Sequence, residues 1–382
     1  MVGSYVLFTP RMFRNGGMAA SVATMLVTSV VSTDNILMLL RAADAAGVHT
    51  FGAVGNAAFG QAGQAAVDIS LVLSQLGYCV TYYVFVSGNL PGLFPVAEGS
   101  LAARLLTRNA VILFQVALFI PLSWIRRRLK YMAVGMLMAN LCMVVGLTLI
   151  IYVCIDTLAG DGPMPIRQFN PQSFILFTGA VVTCFEGIGL VLPIREGVTA
   201  EARRSFAPMI VMTMAAITLL YGGFAALGYA TYGDTIESFI TESMPADDPV
   251  ANAAIVAYCL CITLTFPLQL FPAAKTIERY YFPSGAGKNS STSKWKKNAL
   301  RASLVCLTAL VALKAGEKFD HFAGILGGVC AVPLALVYPV MFHLKLCGGE
   351  VSRLGWVYEC CVGAVGVVGA VVVTITSIVT WQ

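Results

Sequence analysis

Residues 171–197 read PQSFILFTGAVVTCFEGIGLVLPIREG: an apolar run long enough to cross a bilayer, with a carboxylate, Glu186, near its middle. An ionised group at that depth costs several kcal/mol unless it is paired or wetted, so an intramembrane acid is a functional candidate by default. Gly187 and Gly189 stand beside it and Pro193 follows. Glycine loosens a helix. The backbone polar groups freed in this way are tolerated at membrane depth only where they are buried in protein or line a cavity. The stretch is therefore expected to be a broken transmembrane helix facing a central site.

The whole chain fits that setting. It is 58% hydrophobic and 11% charged, whereas a soluble domain carries about 25% charged residues. A polytopic all-α membrane protein follows, with residues 1–382 as a single unit. The net charge of +5 does not suggest nucleic acid as a partner, because the basic residues fall between apolar runs. The cysteines number 11, lie mostly inside apolar runs and show no paired CxxC spacing, which suits small packing residues rather than disulfides or metal. His49, His321 and His343 lie in loops or at span ends with no partner spacing. No nucleophile–base pair, phosphate loop or metal cluster supports an enzyme, and no cofactor is expected. No repeated filter or ring of charge supports a channel. The first residues lack the charged start and cleavage region of a signal peptide.

Taken in order, the apolar part of residues 1–16 is too short to span: about 10 residues make roughly 15 Å of helix against a core of ~30 Å. Full spans are expected at 17–40, 67–90, 109–125, 131–153, 171–197, 206–231, 250–273, 299–314, 321–345 and 356–380, ten in all. Residues 41–64 form a Gly/Ala-rich connection suited to an interfacial helix, and about 284–298 form a polar, flexible loop. Asp34 is expected at an interface near its span end, and Pro267 and Pro272 are expected to kink the eighth helix. Gly363, Gly366 and Gly369 recur every third residue, a weak helix-packing signal.

Charge asymmetry tests the count. If the loops after residues 40, 125, 195, 273 and 345 share one side, they hold 17 of the 24 basic residues. The positive-inside rule makes that side cytosolic. The acidic loop with Asp234, Glu237, Glu242, Asp247 and Asp248 then faces outside or a lumen.

GSYVLFTP at 3–10 echoes GIGLVLP at 187–193: glycine, aliphatic run, proline. Broken helices at matching positions of two five-helix halves mark an inverted-repeat transporter with its site at the midplane. The motifs GSYVLFTPRMFRNGG, SQLGYCVTYYVFVSGNL, FEGIGLVLPIREG and TFPLQLFPA, in this order along the chain, resemble the amino acid/auxin permease family. The resemblance is strongest to its vacuolar and lysosomal neutral amino acid transporters.

That resemblance implies the eleven-helix amino acid–polyamine–organocation fold, of which the spans above make ten full helices and an incomplete first one. It implies secondary active transport of neutral amino acids, coupled to protons, or to sodium in some branches. Gly3, Ser4, Tyr5 and Val6 are implied to line the substrate-carboxylate end, where free amides and a half-helix amino terminus favour an anion. Phe185, Glu186, Gly187, Ile188 and Gly189 are implied as the facing wall. Tyr82 is implied as a wall or gate residue; Tyr78, four residues earlier on the same face, reads as core packing. Glu186, Thr263 and Thr265 are implied in ion coupling. The remaining expectations are a bilayer environment, a monomer, and a vacuolar or lysosomal membrane with the plasma membrane as alternative.

Two departures stand out. The family's second helix-one glycine is Tyr5 here, and the chain starts two residues before Gly3, without the cytosolic half of helix one. A misassigned start, a transport-impaired copy and a non-transporting amino acid sensor on the same fold stay open on these grounds.

Overall fold

The structure is a computed structural model that describes residues 4–94, 106–124, 129–282, 291–349 and 351–381. Among the described residues nine helices are long and apolar enough to cross a membrane, and Arg108–Trp124 is a tenth, shorter apolar helix. Before them a 3-10 turn, Ser4–Phe8, runs into the short helix α1, Thr9–Gly16. The spans expected from hydropathy are all present. They are α2 (Met18–Ala46), α3 (Phe51–Asn89), α4 (Arg108–Trp124), α5 (Leu129–Asp161), the pair α6 (Phe174–Cys184) and α7 (Ile188–Glu196), α9 (Phe206–Tyr232), α10 (Pro249–Tyr281), α11 (Ser291–Ala315), α12 (Phe319–Cys347) and α13 (Arg353–Val379). A short surface helix, α8 (Ala200–Arg204), leads into α9.

Two expectations change. Residues 291–298 are the first turns of α11 rather than loop, while 283–290 lie outside the described residues. The interfacial segment is continuous with α3 and bends away from it at Phe59 and Gly60, where Gly60 has φ 66°. Only glycine takes that backbone region at low cost.

The first helix turns sharply into α2 at Gly17, with φ 84°. A side chain there would lie 2.5 Å from the Phe169 backbone. Gly17 thus lets the loop before α6 run against the end of α1. Met18 N donates to Arg167 O at 2.8 Å, and Asn170 N to Gly16 O at 3.1 Å. The end of α1 is in this way tied to the segment that leads into α6.

Small residues let α12 press on α6 and α13. A β-carbon on Gly327 would sit 2.3 Å from Gly179 O, and one on Gly324 would sit 2.3 Å from Ser377 Oγ. Such close backbone approach drives helix association in lipid. The centre of α12, Gly327–Ala331 and Pro333–Val337, is π-helical, a form that concentrates at functional sites. Of the three spaced glycines on α13, Gly363 and Gly366 face α12 and Gly369 meets nothing.

Ion pairs hold the helix ends on the basic face: Arg195–Asp44 joins α7 to α2, Arg279–Asp68 joins α10 to α3, and buried Arg301–Glu278 joins α11 to α10. His343 also has a partner that its spacing did not reveal. It lies 2.9 Å from Glu359 of α13, both buried.

Candidate functional site

The break falls at Phe185, Glu186 and Gly187, between α6 and α7. Phe185 N turns back to Val182 O and Glu186 N to Thr183 O, which closes the end of α6. Helix geometry then leaves the last carbonyls of α6 and the first amides of α7 without intrahelical partners. Gly189 serves packing rather than looseness, because a β-carbon there would meet Leu71 Cδ2 of α3 at 2.5 Å.

Glu186 is 8% exposed and is held from α3. Tyr78 Oη donates to Glu186 Oε2 at 2.8 Å, and Ser74 Oγ to the same oxygen at 3.2 Å. Tyr78 is therefore more than the packing residue it resembles in sequence. Its ring meets Tyr5 edge-on, with centroids 6.2 Å apart. The Tyr5 hydroxyl is buried beside the Thr183 side chain. Thr183 Oγ1 donates to Gly179 O at 3.1 Å.

These groups face a cavity of about 420 Å³, within the size range of small-molecule sites. Tyr5, Tyr78, Tyr82, Glu186, Tyr221 and Thr265 line its deep end. Leu71, Met136, Leu268, Pro272 and Thr276 line it toward the basic face. Of the residues named from sequence, the structure brings together Tyr5, Tyr82, Glu186, Gly187, Gly189 and Thr265. Val6, Phe185 and Ile188 are buried beside the break, outside the lining. Thr263 sits two residues from Thr265, on the other side of α10, and donates to Cys259 O at 2.8 Å. It does not reach the cavity. Ser4 opens the 3-10 turn. Gly3 lies outside the described residues. Sequence reasoning missed Gln75, Asn140 and Gln269, whose amides line the same cavity. No local pattern distinguishes them from other polar residues in the spans.

Toward the acidic face the cavity is closed. Phe8, Phe85, Phe239 and Phe319 pack with ring centroids of 5.0 Å for Phe8–Phe319, 4.9 Å for Phe239–Phe319 and 5.1 Å for Phe85–Phe239. Arg11 Nε of α1 meets Asp320 Oδ2 of α12 at 2.9 Å, and Arg11 Nη1 donates to Ile236 O at 2.6 Å. Glu242 sits in this loop region, in the turn Ile240–Ser243. Part of its surface stays open, yet the surrounding protein strips its carboxylate of enough water to push it up to about 7, against the pull of Arg108 and Arg11.

A bundle in which the 3-10 turn Ser4–Phe8 and the break at Phe185–Gly187 meet at one cavity defines a class of helical membrane protein with an internal site. The chain belongs to the transmembrane amino acid transporter protein family, whose profile matches residues 1–380. It is 31% identical over 366 residues to Vacuolar amino acid transporter 3 of Saccharomyces cerevisiae, covering 92% of this chain and 51% of that protein. It is 32% identical over 349 residues to Vacuolar amino acid transporter 3 of Schizosaccharomyces pombe, covering 91% of this chain and 52% of that protein. The chain thus spans about half the length of these curated relatives. Its fold is similar to the inward-facing conformation of Mhp1, with TM-score 0.54 and 14% identity over 99% of this chain and 90% of that one. The family is one of transporters rather than enzymes.

Proposed function

We propose that this chain is a secondary active transporter of neutral amino acids, coupled to protons and placed in a vacuolar membrane. One observation carries the reading. Glu186, at the break of a membrane helix, lines a cavity that extends toward the basic face while aromatic rings and an ion pair close the acidic face. The basic face is cytosolic by the positive-inside rule, so this is an inward-facing state of an alternating-access cycle. Among the described residues that line the cavity there is no Lys, Arg or His, which suits a zwitterion with an uncharged side chain. The names of the relatives support amino acids as substrate and the vacuole as location. Tyr78 and Ser74 hold Glu186 where it can accept a proton or a substrate ammonium.

The test is uptake of labelled neutral amino acids by the purified chain in liposomes, with and without a pH gradient. Flux that grows with the gradient is expected. Saturable binding with no flux would favour a sensor. Flux driven by sodium alone would move the coupling to another ion.

A further inference from the structure

Two carboxamides meet on the cavity wall. Gln269 Nε2 of α10 donates to Gln75 Oε1 of α3 at 2.6 Å. The helices that carry them are fastened on both sides of this rung. Asp68 and Arg279 pair at the basic end, and Tyr83 packs on Phe266 with centroids 5.5 Å apart at the deep end. The pair is therefore a fixed part of the wall.

A carboxamide offers two donors and an acceptor with two lone pairs. The bond between the two glutamines uses neither the Gln75 amide hydrogens nor the Gln269 carbonyl, and both residues line the cavity. Gln75 lies three residues from Tyr78, or about 4.5 Å along the helix. A substrate whose ammonium is held near Glu186 would extend its side chain to this rung.

Glu186 is the only carboxylate among the described lining residues, and it already accepts from Tyr78 and Ser74. Among the described lining residues a charged substrate side chain would find no free counter-charge. An aliphatic one would leave the two amides bonded to each other. A carboxamide side chain would match both: its N–H donates to the Gln269 carbonyl, and its oxygen accepts from the Gln75 amide.

We propose that the Gln75–Gln269 pair is the specificity-determining element of the cavity and favours amino acids with carboxamide side chains over aliphatic ones of similar size. This rests on the transport reading above. The experiment measures KM for glutamine and for leucine in liposomes, using the wild-type chain, Gln75→Leu, Gln269→Leu and the double variant. The ratio of glutamine KM to leucine KM is expected to rise roughly tenfold, the worth of one or two neutral hydrogen bonds. A monodisperse elution profile and a wild-type-like melting temperature in detergent are the control for folding. If the leucine variants fail to fold, Gln75→Met and Gln269→Met keep the side-chain length and carry the same expectation. Wild-type flux with an unchanged glutamine-to-leucine ratio in every folded variant overturns the role of the pair alone. Absence of wild-type flux for any amino acid overturns the transport reading, and this inference with it.

Discussion

Tyr78 Oη and Glu186 Oε2 lie 2.8 Å apart, joining α3 to the break between α6 and α7 across 108 residues of sequence. The bond sets where the carboxylate points. Hydrogen bonds to charged groups contribute about 1.5–3 kcal/mol, so Tyr78→Phe is expected to lower uptake roughly 10- to 100-fold. Ser74→Ala, which removes the longer 3.2 Å bond, is expected to lower it less. Initial uptake rates in liposomes for the two variants check the order.

Gly17 is expected to tolerate no side chain. Gly17→Ala combines φ 84° with a 2.5 Å clash against the Phe169 backbone. The strained backbone alone costs on the order of 1–3 kcal/mol, and the clash adds to it by pulling the loop before α6 away from α1. Gly47→Ala is the control: φ is 65°, but open space surrounds it, so only the backbone cost of about 1–2 kcal/mol applies. Thermal melting in detergent should rank Gly17→Ala well below Gly47→Ala, and equal melting points would dismiss the close approach.

Glu242 should make closure of the acidic face depend on pH. Loss of water from around the partly open carboxylate lifts it from 4.5 to about 7 in the closed form, whereas a fully hydrated, open form returns it toward the ordinary value. A raised carboxylate pKa favours the form that holds the neutral acid. Closure is therefore fully favoured below about 4.5 and loses that support as pH rises through about 7. With Tyr5→Cys as reporter, a membrane-impermeant thiol reagent added from the acidic face should react faster at pH 8 than at pH 5. Glu242→Gln should flatten that ratio once thiolate chemistry is normalised to a free thiol. An unchanged ratio in Glu242→Gln removes Glu242 from the closure.

The membrane plan was legible in the sequence because hydropathy and helix length are local properties. FEGIG marked its own break: a carboxylate with adjacent glycine cannot continue a lipid-facing helix without a cavity beside it. What stayed hidden depends on helix register across the bundle. Gln75 and Gln269 are 194 residues apart, and His343 finds Glu359 only because α12 and α13 lie antiparallel. Tyr78 resembled a core aromatic because its hydroxyl partner is on another helix. The difference between Thr263 and Thr265 was available from the helical period, since residues two apart face opposite sides. The helical start of α11 was masked by a Lys- and Ser-rich stretch that reads as loop.

The central claim is that Glu186 couples movement of an amino acid to a proton. Glu186→Gln keeps the side chain's size and accepts the same Tyr78 and Ser74 hydrogen bonds through its amide oxygen, but it cannot carry the charge. The decisive measurement is uptake of a labelled neutral amino acid into liposomes, against an imposed pH gradient, for wild type and Glu186→Gln. The account predicts that wild-type uptake follows the gradient and that the variant loses gradient-driven accumulation. Accumulation by Glu186→Gln that still follows the pH gradient as the wild type does would contradict it.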